Sequence, residues 1–228
     1  MSNIIAIITA LAALATGIAN FFMIREMKKQ RIATSKPVLK ILQKNDVATI
    51  NKNKHWSWNE NESSFSIEPK LMNFGTGPAL SIKITWKLDL DKIVNGLKYF
   101  DPYNQKKFNH NDNTIELDNS FHAVANQKNT TINAVLVNNA SNEPLRIPSY
   151  YVTAFEKYIE LGFLNKEGEG DYSNYPTFPS IYANFKYEDI HGNELKQEFK
   201  ILLSFSSISH GEDENEVHTI LSIEELNQ

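Results

Sequence analysis

The first 24 residues, MSNIIAIITALAALATGIANFFMI, carry no charged side chain, and that limits what the chain can fold into more than any other feature does. As a helix, the run from Ile4 to Ile24 is about 31 Å long at about 1.5 Å per residue, the thickness of one bilayer hydrocarbon core. A cleaved signal peptide puts basic residues ahead of its apolar run. Here Arg25, Lys28, Lys29 and Arg31 all follow it. Residues 1–24 therefore read as a retained transmembrane signal-anchor, with the lipid bilayer as partner through residues 4–24. Basic side chains at a membrane end resist translocation, which places the N-terminus outside and the rest of the chain in the cytoplasm. A buried helix of a soluble protein is the weaker alternative, because the run is long and has no charged face.

Within the run, Ala6, Ala10, Ala13, Gly17 and Asn20 recur at helical spacing and line one face with small residues and one amide. Membrane helices associate through such faces, so a homo-oligomer or a second membrane protein is an expected partner. An alanine-rich segment with no partner is the competing explanation, since Ala12, Ala15, Thr16 and Ala19 are small as well.

Charge divides the remainder. Residues 1–35 hold four basic side chains and one acidic, whereas residues 210–228 hold six acidic and no Lys or Arg. With a net charge of −4 overall, the middle is left at −1. The predicted organisation is an anchor over 1–24, a basic juxtamembrane linker over 25–35, a β-domain over 36–209 and an acidic tail over 210–228, solvated and partly disordered. The negative balance argues against nucleic acid as a partner. The absence of cysteine excludes disulfide scaffolds, thiol nucleophiles and Cys-ligated metal.

The body alternates apolar and polar residues with period two. Leu80, Ile82, Ile84, Trp86 and Leu88 form one such run; Ile181, Ala183, Phe185 and Tyr187 form another; Leu195, Phe199, Ile201, Leu203 and Phe205 form a third. Period two marks half-buried strands, and the turn at 189–193 joins the last two runs into a hairpin. Phe65–Leu71 and weaker segments at 37–42, 47–51, 114–117 and 130–137 bring the count to about eight. Many strands with short polar turns predict an all-β antiparallel sandwich. Two helices interrupt it. One spans 148–162 with a single apolar face, Ser149 capping its start and Gly162 its end; a shorter one spans 91–99.

The segment Asn73-Phe-Gly75-Thr-Gly77-Pro78-Ala79, followed by an alternating strand, resembles the Asn-x-Gly-x-Gly-Pro-Ala turn of immunoglobulin-like domains in uncharacterised bacterial membrane-anchored proteins. Tyr187-Glu-Asp189-Ile-His-Gly192-Asn193 is similar to the closing hairpin of that group, which also places a membrane helix before the domain. The resemblance implies an immunoglobulin-like β-sandwich and a topology, with no activity attached. The residues suffice to explain these motifs structurally: Gly75, Gly77 and Gly192 permit positive φ, Pro78 fixes φ, and the Asn73 and Asp189 side chains can bond their turns.

No Gly-x-Ser-x-Gly elbow, phosphate loop, dinucleotide fingerprint or His-Glu-x-x-His is present. No catalytic residue, cofactor-binding residue or metal ligand is therefore assigned, and no cofactor is expected. His210 and His218 bracket an acidic run, but a flexible tail imposes no coordination geometry. Trp56 and Trp58 share one face of a strand, either as packing or as contact aromatics. The expected function is a single-pass scaffold or interaction subunit of a bacterial inner-membrane complex, with a defence or stress role suggested only by the setting of the resemblance. An outward-facing glycan-binding module and an unrecognised hydrolase stand as alternatives.

Overall fold

A computed structural model of the chain describes residues 2–42, 44–51, 56–58, 68–101, 107–137, 143–164, 177–210 and 214–226. It is mostly β, with three antiparallel sheets and three α-helices.

Helix α1 runs unbroken over Ser2–Thr34, 33 residues, or about 50 Å. The basic segment read as a linker is thus helical almost to its end. No proline or glycine interrupts it after Gly17, and the Ser35 N–H closes the last turn on the Arg31 carbonyl at 3.1 Å. Among the described residues no helix is long and apolar enough to cross a membrane. The side chains of residues 1–6, 8 and 10, where the apolar run begins, lie outside the described ones.

Strands β1 (Leu39–Ile41), β2 (Lys44–Asn51), β3 (Trp56–Trp58), β4 (Lys70–Asn73) and β5 (Ala79–Lys87) precede helix α2 (Leu90–Tyr99). Then come β6 (Phe108–His110), β7 (Thr114–Leu117), β8 (Ser120–Ala123), β9 (Asn129–Val135), β10 (Glu143–Pro144), helix α3 (Ser149–Leu164), β11 (Ile181–Glu188), β12 (Glu194–His210) and β13 (Glu214–Leu226). The large sheet has the order β3-β2-β13-β12-β11-β5-β9. A small sheet β1-β4-β10 and a separate meander β6-β7-β8 accompany it. The period-two residues face one way: Ile82, Ile84 and Trp86 of β5, Ala183 and Phe185 of β11, and Phe199 and Ile201 of β12 are all buried. They belong to one core together with Leu39 and Leu71 of the small sheet.

Three expectations need correction. Of the residues read as an acidic tail, Glu214–Leu226 form β13, which pairs with β12 over Asn215–Leu226 and with β2 on its other side. Val217, Thr219 and Leu221 are buried while Glu216, Glu224 and Glu225 are exposed, so the charge hid a strand. His210 and His218 are accordingly strand residues, opposite Asn215 and Ser207. Second, α3 has the expected apolar face, formed by Tyr150, Tyr151, Val152, Ala154, Phe155, Tyr158 and Ile159, but burial extends beyond it to Glu156 and Glu160 on the opposite side. Its rings meet Phe178 ahead of β11 at 5.2–5.3 Å, and the Tyr151 hydroxyl donates to the Pro179 carbonyl at 2.9 Å and accepts from Leu203 N–H. Third, Ser149 lies inside the helix, its hydroxyl bonded to the Gln127 side chain, and the helix continues through Gly162 to Leu164. Helix α2 starts at Leu90, one residue ahead of the expected 91–99, with the Asp89 carboxylate capping it by accepting from Lys92 N–H at 3.1 Å. Of the predicted strand 65–71, residues 65–67 lie outside the described residues.

Candidate functional site

The two sequence motifs converge on the point where α1 enters the β-domain. Asn73 is 2% exposed and its amide makes four hydrogen bonds. Its oxygen accepts from Val38 N–H (3.1 Å) and Gly75 N–H (2.9 Å); its nitrogen donates to the carbonyls of Gly77 (2.7 Å) and Val135 (3.1 Å). One side chain thus joins the chain leaving α1, the glycine loop and the end of β9. Backbone bonds from Phe74 N–H to the Val38 carbonyl and from Thr76 N–H to the Lys36 carbonyl complete the clasp.

The role of Gly75 and Gly77 differs from the one expected. Neither has positive φ; among the described glycines Gly192 does, at 77°. A β-carbon on Gly75 would overlap the backbone of Lys36, Pro37 and Val38, and one on Gly77 would overlap the Ser35 carbonyl. Both glycines are required because the segment 35–38 lies directly against the loop. Pro78 then leads into β5.

The second motif grips the same junction from the other side. The Asp189 carboxylate accepts from His191 N–H (2.8 Å), Asn193 N–H (2.9 Å) and the Asn193 side-chain amide (2.8 Å). These bonds, the side-chain amide's foremost, hold its carboxyl below the usual range. The turn carries His191, whose Nε2 lies 3.0 Å from the Ser35 hydroxyl. Gln197, which the sequence reading passed over, acts as a substitute strand for β1. Its oxygen accepts from Leu39 N–H at 3.3 Å, and its nitrogen donates to the Leu39 carbonyl at 3.2 Å. The Tyr187 hydroxyl also donates to it, at 2.8 Å. The available signal was the missing apolar residue at an inward position between Leu195 and Phe199.

Strand β5 leads away from the clasp for nine residues, about 30 Å, to a second site that sequence reasoning did not assemble. There the β5–α2 junction, the β6–β7 turn and the start of α3 border a solvent-open cavity of about 290 Å³. Asp91 and His110 lie 3.0 Å apart at its edge. Lys128 donates to the Asp112 backbone carbonyl at 2.8 Å, leaving the Asp112 carboxylate without a bonding partner among the described residues. Asp89 is committed to α2: the Lys92 N–H, and then the Lys92 ammonium, hold its carboxyl below the usual range. Tyr150 also lines the cavity, and burial pushes its hydroxyl up to about 12. Nothing in the sequence announces that residues 89–91, 110–112, 128 and 150 meet. Among the described residues no group of three or more His, Asp or Glu is placed to hold a metal ion.

The other singled-out residues stay apart from both sites. Ala13, Gly17 and Asn20 are exposed on α1, and a β-carbon on Gly17 would meet nothing within 4 Å; the side chains of Ala6 and Ala10 lie outside the described residues. Arg25, Lys28, Lys29 and Arg31 are exposed on the same helix. Strand β3 pairs Trp56 with Ile50 and Trp58 with Ala48 at the edge of the large sheet; the two indole side chains lie outside the described residues. No protein-family model, curated protein or solved structure significantly matches the chain.

Proposed function

We propose that this is a single-pass, membrane-anchored interaction subunit in which α1 crosses the inner membrane of a bacterium and the clasp fixes an immunoglobulin-like β-domain to it on the cytoplasmic side. The observation that carries this reading is the state of α1. Phe21, Phe22, Met23 and Ile24, four consecutive residues spread right round the helix, are 65%, 60%, 60% and 67% exposed, and Ile7, Leu11, Leu14 and Ile18 are each more than half exposed. Each such side chain gains about 1.5–3 kcal/mol on leaving water, so a helix apolar on every side needs a cover, and the described residues supply none. Together with the uncharged run from Ile4, which spans about one hydrocarbon core, this favours lipid as the cover.

The geometry then sets the stand-off. If the hydrocarbon edge lies at Ile24, α1 continues to Thr34, about 15 Å further, while a headgroup layer is only about 5–7 Å thick. Arg25, Lys28 and Lys29 fall within that layer, where anionic lipid favours them. The β-domain sits clear of it, with sheet edges and loops available to a protein partner. The small-residue face holding Ala13 and Gly17 is open to a second helix, of this chain or another. An Asn-saturated clasp is what a rigid transfer of position from anchor to domain requires.

The test is alkaline extraction of membranes carrying the full chain, a Leu14→Arg/Ile18→Arg variant, or a variant truncated before Arg25. The full chain should remain in the bilayer and both variants should be released. A full chain that is released, or that is monodisperse in buffer without detergent, overturns the anchor. A reporter fused after Gln228 should be active only in the cytoplasm. Purification of the full chain in mild detergent should bring down a stoichiometric second protein, and a lone protomer would refute the subunit role.

A further inference from the structure

The large sheet ends on β9, and that edge is open. Strand β9 pairs with β5 in one unbroken register, from Asn129 opposite Thr85 to Val135 opposite Ala79, without a bulge. Just ahead of it the Lys128 carbonyl accepts from Trp86 N–H at 2.8 Å, and this bond fixes the alternation that follows. The backbone groups of Thr130, Ile132 and Ala134 turn toward β5, and those of Asn129, Thr131 and Asn133 turn away from it. Further along, the outward series is sealed from within: the Val135 carbonyl accepts from the Asn73 amide, and Val137 bridges to Asn73. Asn129, Thr131 and Asn133 are exposed, and their outward N–H and carbonyl groups meet no partner among the described residues. Sheet edges are ordinarily blunted by charge, proline, a bulge or brevity. The opposite edge, β3, is three residues long. Strand β9 has seven residues and none of these devices.

We propose that this edge pairs with the same edge of a second copy of the chain, antiparallel and two-fold symmetric about Thr131, so that two large sheets join into one. The residues themselves identify the occupant. The outward series Asn129, Thr131, Asn133 reads the same in both directions, so a two-fold at Thr131 sets Asn opposite Asn and Thr opposite Thr. All three pairs then fall in hydrogen-bonded register and exchange two backbone bonds each. Their side chains match as well. The Thr85 hydroxyl donates to the Asn129 amide oxygen at 3.2 Å, which leaves the Asn129 nitrogen to donate to the facing Asn133 oxygen. Thr against Thr is a favourable cross-strand pair. No charged residue of β9 opposes its own copy, and Ile132, half-buried at the rim of the core, gains the facing Thr130 as cover. An unrelated extended peptide would use the backbone groups but nothing of the palindrome. The pairing is independent of the small-residue face of α1 and of how α1 is covered.

The chain has no cysteine, so single introduced cysteines report on the pairing. The full chain carrying Thr131→Cys, in mild detergent, should form a disulfide-linked dimer on gentle oxidation, since hydrogen-bonded partners have Cα atoms about 5.5 Å apart. Asn129→Cys alone should stay unlinked, its two copies lying about 13 Å apart along the strands. Co-expression of Asn129→Cys with Asn133→Cys should restore the cross-link. Thr85→Cys, exposed one strand inward, serves as the control and should remain unlinked. Thr131→Pro removes an N–H that points away from β5, so far-UV circular dichroism should be unchanged. The dissociation constant of the dimer, followed by sedimentation equilibrium, should rise about tenfold or more as the two central bonds are lost. A dimer linked by Gly17→Cys but not by Thr131→Cys would be one held through α1 alone and would overturn the proposal. So would a lone protomer at tens of micromolar, or equal cross-linking of Asn129→Cys alone and of the mixed pair.

Discussion

The two ends of β5 differ in how completely their polar groups are used. At the α1 end, the Asn73 amide makes all four of its bonds, the Asp189 carboxylate accepts three, and Gln197 imitates a strand edge for Leu39. At the α2 end, the Tyr150 hydroxyl and the Asp112 carboxylate are left open beside a cavity. Both ends contain polar residues in turns, so their sequences look alike. The difference is in saturation: bonds already made inside the chain stabilise the fold, whereas groups left open are available to something else.

Substitutions should separate the ends sharply. Gly77→Ala should have the largest effect, about 3 kcal/mol or more, because the new methyl overlaps the Ser35 carbonyl and the clasp cannot close around it. Denaturant unfolding of the detergent-solubilised chain measures this, and a loss below about 1 kcal/mol would mean that the junction opens easily. Asn73→Ala should follow at about 2–3 kcal/mol, since it strands two backbone donors and two carbonyls at a buried position. Faster amide exchange at Val38 and Gly75 than in the parent would locate that loss in the clasp.

Acid should act on the same end more mildly. The folded state holds the Asp189 carboxyl below its ordinary value near 3.9, so its contribution is fully present above that pH and is lost as pH falls through the lower, folded value. Exchange protection of His191 and Asn193 amides should therefore drop below about pH 4, and Asp189→Asn should remove this particular pH dependence. The smallest effect is expected at the far end. Tyr150→Phe removes a hydroxyl with no partner among the described residues and should leave stability within about 0.5 kcal/mol of the parent. A loss of 2 kcal/mol there would show that the hydroxyl is bonded after all, and the contrast between the two ends would fail.

How much was legible varied with the kind of signal. The alternation in β5, β11 and β12 read directly as strands, because the period of side-chain direction is written into consecutive residues. The same alternation in β13 was masked by glutamates on its outer face, and composition over 210–228 gave the wrong answer. Helix α3 misled differently. Its aromatic positions mark one face, which Phe178 covers, but the burial of Glu156 and Glu160 on the opposite side depends on distant parts of the chain. The glycines of the first motif were found by sequence, yet for the wrong reason: they yield space to residues 35–38, and not a positive φ.

The sequence by itself determined the local elements: an uncharged N-terminal helix with basic residues behind it, a series of period-two strands, and two polar turns with glycine. Each of these depends on residues within one element or one turn of each other. Only the tertiary structure decided that both turns close on the exit of α1, that Gln197 bonds Leu39 across 158 positions, and that the residues around Tyr150 form an open cavity. Those juxtapositions are set by sheet order and register, β5 lying beside β11 and β11 beside β12. Sheet order depends on which distant strands bury their apolar faces together, and no short stretch of residues encodes it.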